Sequence, residues 1–216
     1  LFRSFQSLVK TNATIYSLTF LPRISRTQSM DALSTIASLS GYKAVINAYQ
    51  QLDRVVPMMI TAAGTIPPIN TFVIGAGVAG LQAIATAKRM GSTVYGTDIR
   101  PETQQQVESL GAKFVDMSIN NSIHDTKIVY AKEVSKEDLN QQHNQLSITM
   151  NQCRVIICTA VVPGKKAPTL ITSKMVEQLQ PGTIIVDLAA EWGGNCELTV
   201  ENETVKAHDT IIIGKT

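Results

Sequence analysis

Three glycines, Gly75, Gly77 and Gly80, constrain this chain more than any other feature, because they sit between an apolar strand and a helix. Residues 71–75 (Thr-Phe-Val-Ile-Gly) read as a buried strand, and residues 78–90 as a helix stopped by Gly91. A Gly-x-Gly-x-x-Gly pattern says little alone; at a strand-to-helix junction each glycine has a separate task. Gly75 permits a tight turn, Gly77 lets the backbone approach a pyrophosphate, and Gly80 lets the helix pack close to the strand. Ala76 and Val78 complete the turn. The helix start then offers unpaired N–H groups and a partial positive charge to phosphate oxygens.

The rest of the chain repeats the alternation of strand and helix. Strands are expected at residues 93–97, 113–116, 154–159, 183–188 and 210–214. Helices are expected at 102–110, with Pro101 at its start, and at 172–179, with Thr172 as N-cap and Pro181 and Gly182 as the stop. Apolar strands separated by helices predict an α/β fold, a Rossmann doubly wound parallel sheet covered on both faces. Upstream, residues 13–18 read as a short strand, 22–31 as a polar loop, and 30–56 as one long helix, bent at Gly41 and ended by Pro57. A turn-rich linker at 62–68 places the domain boundary: residues 1–63 form the remnant of an N-terminal subdomain with the connecting helix, and 64–216 form the nucleotide subdomain. Residues 117–147 form a long polar stretch, helical at its centre over 131–146. A chain of 216 residues opening on Leu1 and ending at Thr216 just after a strand reads as a piece of a longer protein.

Composition removes several classes. Hydrophobic residues at 44% supply a core, and a net charge of +2 without a dense basic run gives no footprint for nucleic acid. Three cysteines and three scattered histidines predict neither a disulfide framework nor a zinc site. The longest apolar stretch, 55–87, is broken by Pro57, Pro67 and Pro68 and is not a membrane span. Lys165 and Lys215 each follow a glycine as in a P-loop, but the glycine required five residues before that one is replaced by Thr159 and Asp209.

Asp98 stands 18 residues beyond Gly80, at the end of the second strand of the nucleotide subdomain. A carboxylate there accepts both hydroxyls of an adenosine ribose and repels a 2′-phosphate, which favours NAD over NADP. Arg100 leaves three readings open: it holds a 2′-phosphate, stacks on adenine, or pairs with Asp98.

Beyond the turn and Asp98, several segments carry a resemblance. They are Pro-Arg-Ile-Ser-Arg-Thr-Gln-Ser-Met-Asp at 22–31, Gly-Tyr-Lys-Ala at 41–44, Ile-Thr-Ala-Ala-Gly at 60–64, Thr-Asp-Ile-Arg-Pro at 97–101 and Tyr-Ala-Lys-Glu at 130–133. Pro-Gly-Lys at 163–165, Asp-Leu-Ala at 187–189 and Gly-Gly-Asn-Cys-Glu at 193–197 extend it over nearly the whole chain. The sequence closely resembles the NAD(H)-binding domain of proton-translocating NAD(P) transhydrogenases.

That resemblance implies direct hydride transfer between NADH and NADP⁺, coupled in the whole complex to proton movement. NAD(H) is then held in a cleft between two Rossmann-like subdomains, and NADP(H) on a separate domain absent from this chain. Arg23, Gln28, Asp31 and Ser34 match the residues around the nicotinamide, with Ile24, Ser25, Ser29 and Met30 in the same loop. Read without the resemblance, Ser29 or Asp31 is simply an N-cap. Asp98, Ile99, Arg100 and Thr159 fall among the implied cofactor-binding residues, and Val161 matches an apolar or backbone contact in the same cleft. Val129, Tyr130 and Gln142 match a loop that folds over bound nucleotide, although Val129 stands where the family often has glycine. Trp192 also departs from the small or polar residue usual there. The implied partners are an NADP-binding domain, a membrane domain and a second copy of the chain; the implied place is the bacterial cytoplasmic or mitochondrial matrix face. Alanine dehydrogenase shares the fold, the glycine turn and the Pro-Gly segment. A non-catalytic NAD-binding module is the other alternative.

Overall fold

Alternating residues of the central strands point to opposite sides of one sheet, and this divides the protein into two apolar layers. In the computed structural model the described residues are 8–11, 14, 16, 18, 21–22, 24–117, 144–162 and 164–214. Helix α1 spans Ala32–Gln50, and strands β1 (Met59–Thr61) and β2 (Gly64–Ile66) pair as a hairpin. Then follow β3 (Asn70–Ile74), α2 (Val78–Arg89), β4 (Thr93–Thr97), α3 (Thr103–Ser109) and β5 (Lys113–Phe114). A helical segment, α4, occupies residues 144–150. The chain continues through β6 (Val155–Cys158), α5 (Ser173–Glu177), β7 (Ile184–Asp187), β8 (Thr204–Ala207) and β9 (Thr210–Ile213).

The seven-stranded sheet has the order β5-β4-β3-β6-β7-β9-β8. All its neighbours run parallel except β8 and β9. Val73, Val94, Ile157 and Val186 face one layer, shared with Val45 and Ala48 of α1 and Ala83, Ile84 and Ala87 of α2. Phe72, Ile74, Ile156 and Ile185 face the other, with Met150 of α4 and Met175 and Val176 of α5. Fully buried strands of this kind read as unbroken apolar runs, which is why β3, β6 and β7 are plain in the sequence. The chain leaves β3 for β4 on one side and returns at β6 on the other. The sheet therefore has a topological switch point between the carboxyl ends of β3 and β6, where open α/β sheets bind ligands.

Several sequence expectations need correction. The long helix is 32–50 rather than 30–56: it stops at a Gln51 cap well before Pro57. Residue 56 then accepts from Ile69 N (3.0 Å), which turns the chain back to the sheet. The expected linker at 62–68 contains the second strand of the β1–β2 hairpin. The third helix begins at Thr103, with Pro101 outside it and Glu102 at the N-cap. Strand β8 has no counterpart among the expected elements; its pattern alternates exposed and half-buried residues, and it joins β9 through His208 and Asp209, both at positive φ. The expected strand at 13–18 lies in part, and the expected helix at 131–146 largely, outside the described residues, with 144–146 of the latter at the start of α4.

Helix α1 is fixed to the sheet by polar as well as apolar contacts. Tyr49 Oη lies 2.8 Å from Thr71 Oγ1, which lies 2.8 Å from Ser92 Oγ, which donates to Ile69 O at 3.0 Å. All three side chains belong to buried residues, so the chain of bonds is what makes their burial tolerable. Burial raises the Tyr49 phenol above its ordinary value, with the bonds from Ser92 and Thr71 opposing that shift. Further along, a Cβ on Gly41 would overlap the carbonyl oxygen of Ala79, in the first turn of α2. The two helices touch backbone to backbone at this point, and Ser38 Oγ donates to Gln82 Oε1 (3.3 Å) one turn away.

Candidate functional site

Of the three glycines in the turn, two are required by the fold itself. Gly75 has φ +99°, and a Cβ there would stand 2.6 Å from Thr159 Oγ1. A Cβ on Gly80 would overlap the carbonyl oxygen of Gly75. Gly77 differs. Its φ is −77°, which any residue adopts, and a Cβ there would meet nothing within 4 Å. It is also exposed, and it is the N-cap of the 12-residue helix α2, with no side chain bonded to the helix start. The turn thus leaves open space before helical N–H groups that lack intrahelical partners. Unpaired helical N–H groups beside an unobstructed turn are an arrangement able to receive an anion.

Asp98 closes the turn from the side. Its Oδ2 accepts from Ala76 N (2.7 Å) and Arg100 Nη2 (3.0 Å), and its Oδ1 from Arg100 N and Nε (both 2.9 Å). Of the three readings left open for Arg100, the structure shows the pair with Asp98. Burial on its own would raise the Asp98 carboxyl; the bonds from Arg100 and Ala76 outweigh it and hold the group below its ordinary 3.8. The side chain of Asp98 is 8% exposed and that of Arg100 43%, so the guanidinium is the solvent-facing partner. Ile99, between them, is exposed.

Across the switch point, Thr159 follows β6. Its Oγ1 donates to Gly75 O (2.9 Å), tying the end of β6 to the glycine turn. Val161 is half-exposed two residues on. Gly75, Ala76, Asp98 and Thr159 are therefore one connected group.

The loop before α1 is a second group. Residues Ser25–Met30 form a 3-10 helix without a buried side chain, and Asp31 is the N-cap of α1. Asp31 Oδ1 accepts from Ser34 N (3.0 Å), and Ser34 Oγ donates to Asp31 Oδ2 (2.7 Å). The capping reading of Asp31 is thus correct as far as it goes; Ser29 is not the cap of α1. Asp31 also lines an open cleft of about 500 Å³, together with Ile24, Gln28 and Ser34. Ser25, Ser29 and Met30 are exposed in the same segment and are not among its lining residues. Arg23, Val129, Tyr130 and Gln142 lie outside the described residues.

Sequence reasoning misses three features of this arrangement. Gly41 reads as a bend in the sequence, and its role is the contact with Ala79 that sets α1 against the first turn of α2. Asp187, wholly buried, accepts from Ala189 N, Asn195 N, Cys196 N and Thr199 Oγ1 and so organises the chain after β7. Asn195, also wholly buried, bonds to Ala160 beside Thr159. The Gly-Gly-Asn-Cys run marks the segment but carries no local pattern naming its contacts.

Comparison with known proteins shows the family to which the chain belongs. Residues 44–216 match the family described as alanine dehydrogenase/PNT, C-terminal domain. The first of the subunit alpha polypeptides of NAD(P) transhydrogenase from Rhodospirillum rubrum is 46% identical over 214 residues, covering 98% of this chain and 55% of that protein. Its counterpart of the same description from Rickettsia prowazekii is 46% identical over 209 residues, 97% of this chain and 54% of its own length. The crystal structure of transhydrogenase from Sinorhizobium meliloti superposes with a TM-score of 0.82 at 40% identity, covering 98% of this chain and 57% of that one. The chain thus spans little more than half the length of the proteins it matches. Among the described residues no helix is long and apolar enough to cross a membrane.

Proposed function

We propose that this chain, which belongs to the alanine dehydrogenase/PNT C-terminal domain family, is the NAD(H)-binding part of a proton-translocating NAD(P) transhydrogenase. One observation carries the reading: the fold requires glycine at 75 and 80 but not at 77, where the space kept free faces an uncapped helix start beside Asp98. That is the cradle a pyrophosphate needs, with a carboxylate placed for a ribose. The transhydrogenase alpha-subunit descriptions of its relatives support the choice among NAD enzymes.

In this reading residues 64–216 are the nucleotide subdomain and 1–63 the end of its partner subdomain. The amides of α2 hold the pyrophosphate, Asp98 the adenosine ribose, and Thr159 and Val161 border the cleft. Gln28, Asp31 and Ser34, with Arg23, orient the carboxamide of the nicotinamide, and Tyr130 and Gln142 belong to the covering loop. The bound nicotinamide supplies hydride chemistry that needs no side chain as acid or base. The task of these residues is to fix the ring and exclude water. The second ring belongs to NADP(H) on a separate domain. A membrane domain couples the exchange to protons, and a second copy of the chain completes a dimer on the cytoplasmic or matrix face.

The test mixes the full-length protein with an NADP-binding transhydrogenase domain and follows hydride exchange from NADH to an oxidised NADP analogue. Exchange is the expected result. Deamination of alanine in its place would move the protein to the alanine dehydrogenases, and nucleotide binding without either reaction would make it a binding module.

A further inference from the structure

Ala160 is the first residue beyond the end of β6 that no longer bonds to a neighbouring strand, and both its backbone groups go to one side chain. Asn195 Oδ1 accepts from Ala160 N (3.0 Å), and Asn195 Nδ2 donates to Ala160 O and to Pro168 O (both 2.8 Å). The backbone of Asn195 is itself committed: its N–H donates to Asp187 Oδ2 (2.7 Å), and its carbonyl accepts from Leu170 N (2.8 Å) and Ile171 N (2.9 Å). An amide wholly buried with each of these groups paired has no freedom to reorient.

The strut therefore runs from Asp187, at the end of β7, through Asn195 to Ala160. From there it reaches the phosphate-type turn, because the adjoining Thr159 donates to Gly75 O (2.9 Å). Gly193 (φ +96°) and Gly194 (φ +78°) let the chain after β7 double back tightly enough to present Asn195 to this point. A Cβ on Gly194 would stand 3.0 Å from Asp187 Oδ2, so the carboxylate and the turn are packed against each other.

We propose that Asn195 is a positioning residue for the nucleotide cleft, which ends β6 by clamping both backbone groups of Ala160 and so fixes the wall formed by Thr159 and Val161. The proposal rests on the NAD(H) reading above. Asn195 touches no nucleotide itself; it acts through Ala160.

The test is Asn195→Ser in the full-length protein. Serine keeps the backbone bonds to Asp187, Leu170 and Ile171 but is too short to span Ala160 and Pro168. The expected result is a rise of about tenfold or more in the NADH dissociation constant, measured well below the melting temperature, with faster amide exchange in residues 159–168. A lower melting temperature with unchanged NADH affinity would overturn the proposal, since a merely structural amide predicts that outcome. If the variant does not fold, hydrogen exchange on the wild type decides: NADH should slow exchange in the peptide containing 159–162, and binding without that change overturns the proposal. Wild-type protein that binds no NADH overturns the nucleotide reading together with it, and so separates the two failures.

Discussion

Arg100 folds back on Asp98 so that its Nε and Nη2 reach one carboxylate oxygen each, at 2.9 and 3.0 Å. With Arg100 N and Ala76 N on the same two oxygens, four donors occupy the carboxylate. A carboxylate has about four acceptor positions. A ribose arriving at Asp98 must displace a donor, and the half-exposed guanidinium is the one held by a flexible side chain. In the proposed function Arg100 therefore competes with the nucleotide for its own neighbour.

This competition sets the signs of two substitutions. Asp98→Ala should weaken NADH binding by about 1–3 kcal/mol, the loss of two charge-assisted hydrogen bonds. Arg100→Ala removes the competitor while Asp98 keeps its bond from Ala76, so NADH should bind at least as tightly as to the wild type. Titration calorimetry of both variants checks the pair; weaker binding in Arg100→Ala would assign the guanidinium a direct contact with nucleotide.

The same carboxylate gives a pH dependence. Its folded-state value lies below the ordinary 3.8, so its contribution to stability is present above that pH and is lost as pH falls through the lower, folded value. Asp98→Asn has no such proton to take up. Urea unfolding midpoints measured downward from pH 5 should fall more steeply for the wild type than for Asp98→Asn, and parallel curves would contradict the assignment.

Gly77→Ala and Gly80→Ala separate ligand space from packing space. Nothing surrounds a Cβ at 77, so Gly77→Ala should leave the melting temperature within about a degree or two while NADH affinity drops about tenfold or more. Gly80→Ala forces the helix off the Gly75 carbonyl and should cost about 1–3 kcal/mol of stability. Differential scanning calorimetry alongside NADH titration reads both; equal loss of stability in the two variants would remove the distinction.

The cap that Asp31 provides and the orienting role proposed for it are pulled apart by one pair of variants. Asn caps a helix about as well as Asp, whereas Ala costs about 1 kcal/mol. Asp31→Asn should therefore keep the stability that Asp31→Ala loses. If the charge also helps to orient the nicotinamide, both variants slow hydride exchange, with NADH binding retained in Asp31→Asn. Exchange at the wild-type rate in Asp31→Asn would reduce Asp31 to a cap.

What is legible in the sequence follows from the range of each signal. The buried strands β3, β6 and β7 are visible because a doubly covered strand is apolar at nearly every position. The glycine turn and the Thr172 cap, whose Oγ1 accepts from Met175 N (3.3 Å), are visible because their chemistry lies within a few residues. Strand β8 is hidden because it is an edge with one half-buried face, closed by His208 and Asp209 where a Gly or Asn would have signalled the turn. Gly41 and Asn195 are hidden for another reason. Their partners, Ala79 and Ala160, are small residues far away in sequence, and neither leaves a periodic trace.

The backbone contact between Gly41 and Ala79 has a mechanical consequence. Hinges need slack, and there is none where a helix without a side chain rests on another helix's carbonyl. Helix α1 carries the Asp31 cleft at one end and is anchored through Tyr49 at the other, with the start of α2 pressed against its middle. The Asp31 cleft and the glycine turn are then two points on a single stiff gauge. Their separation is set by helix geometry, so in the proposed function the span available to a dinucleotide is fixed by how α1 packs on α2.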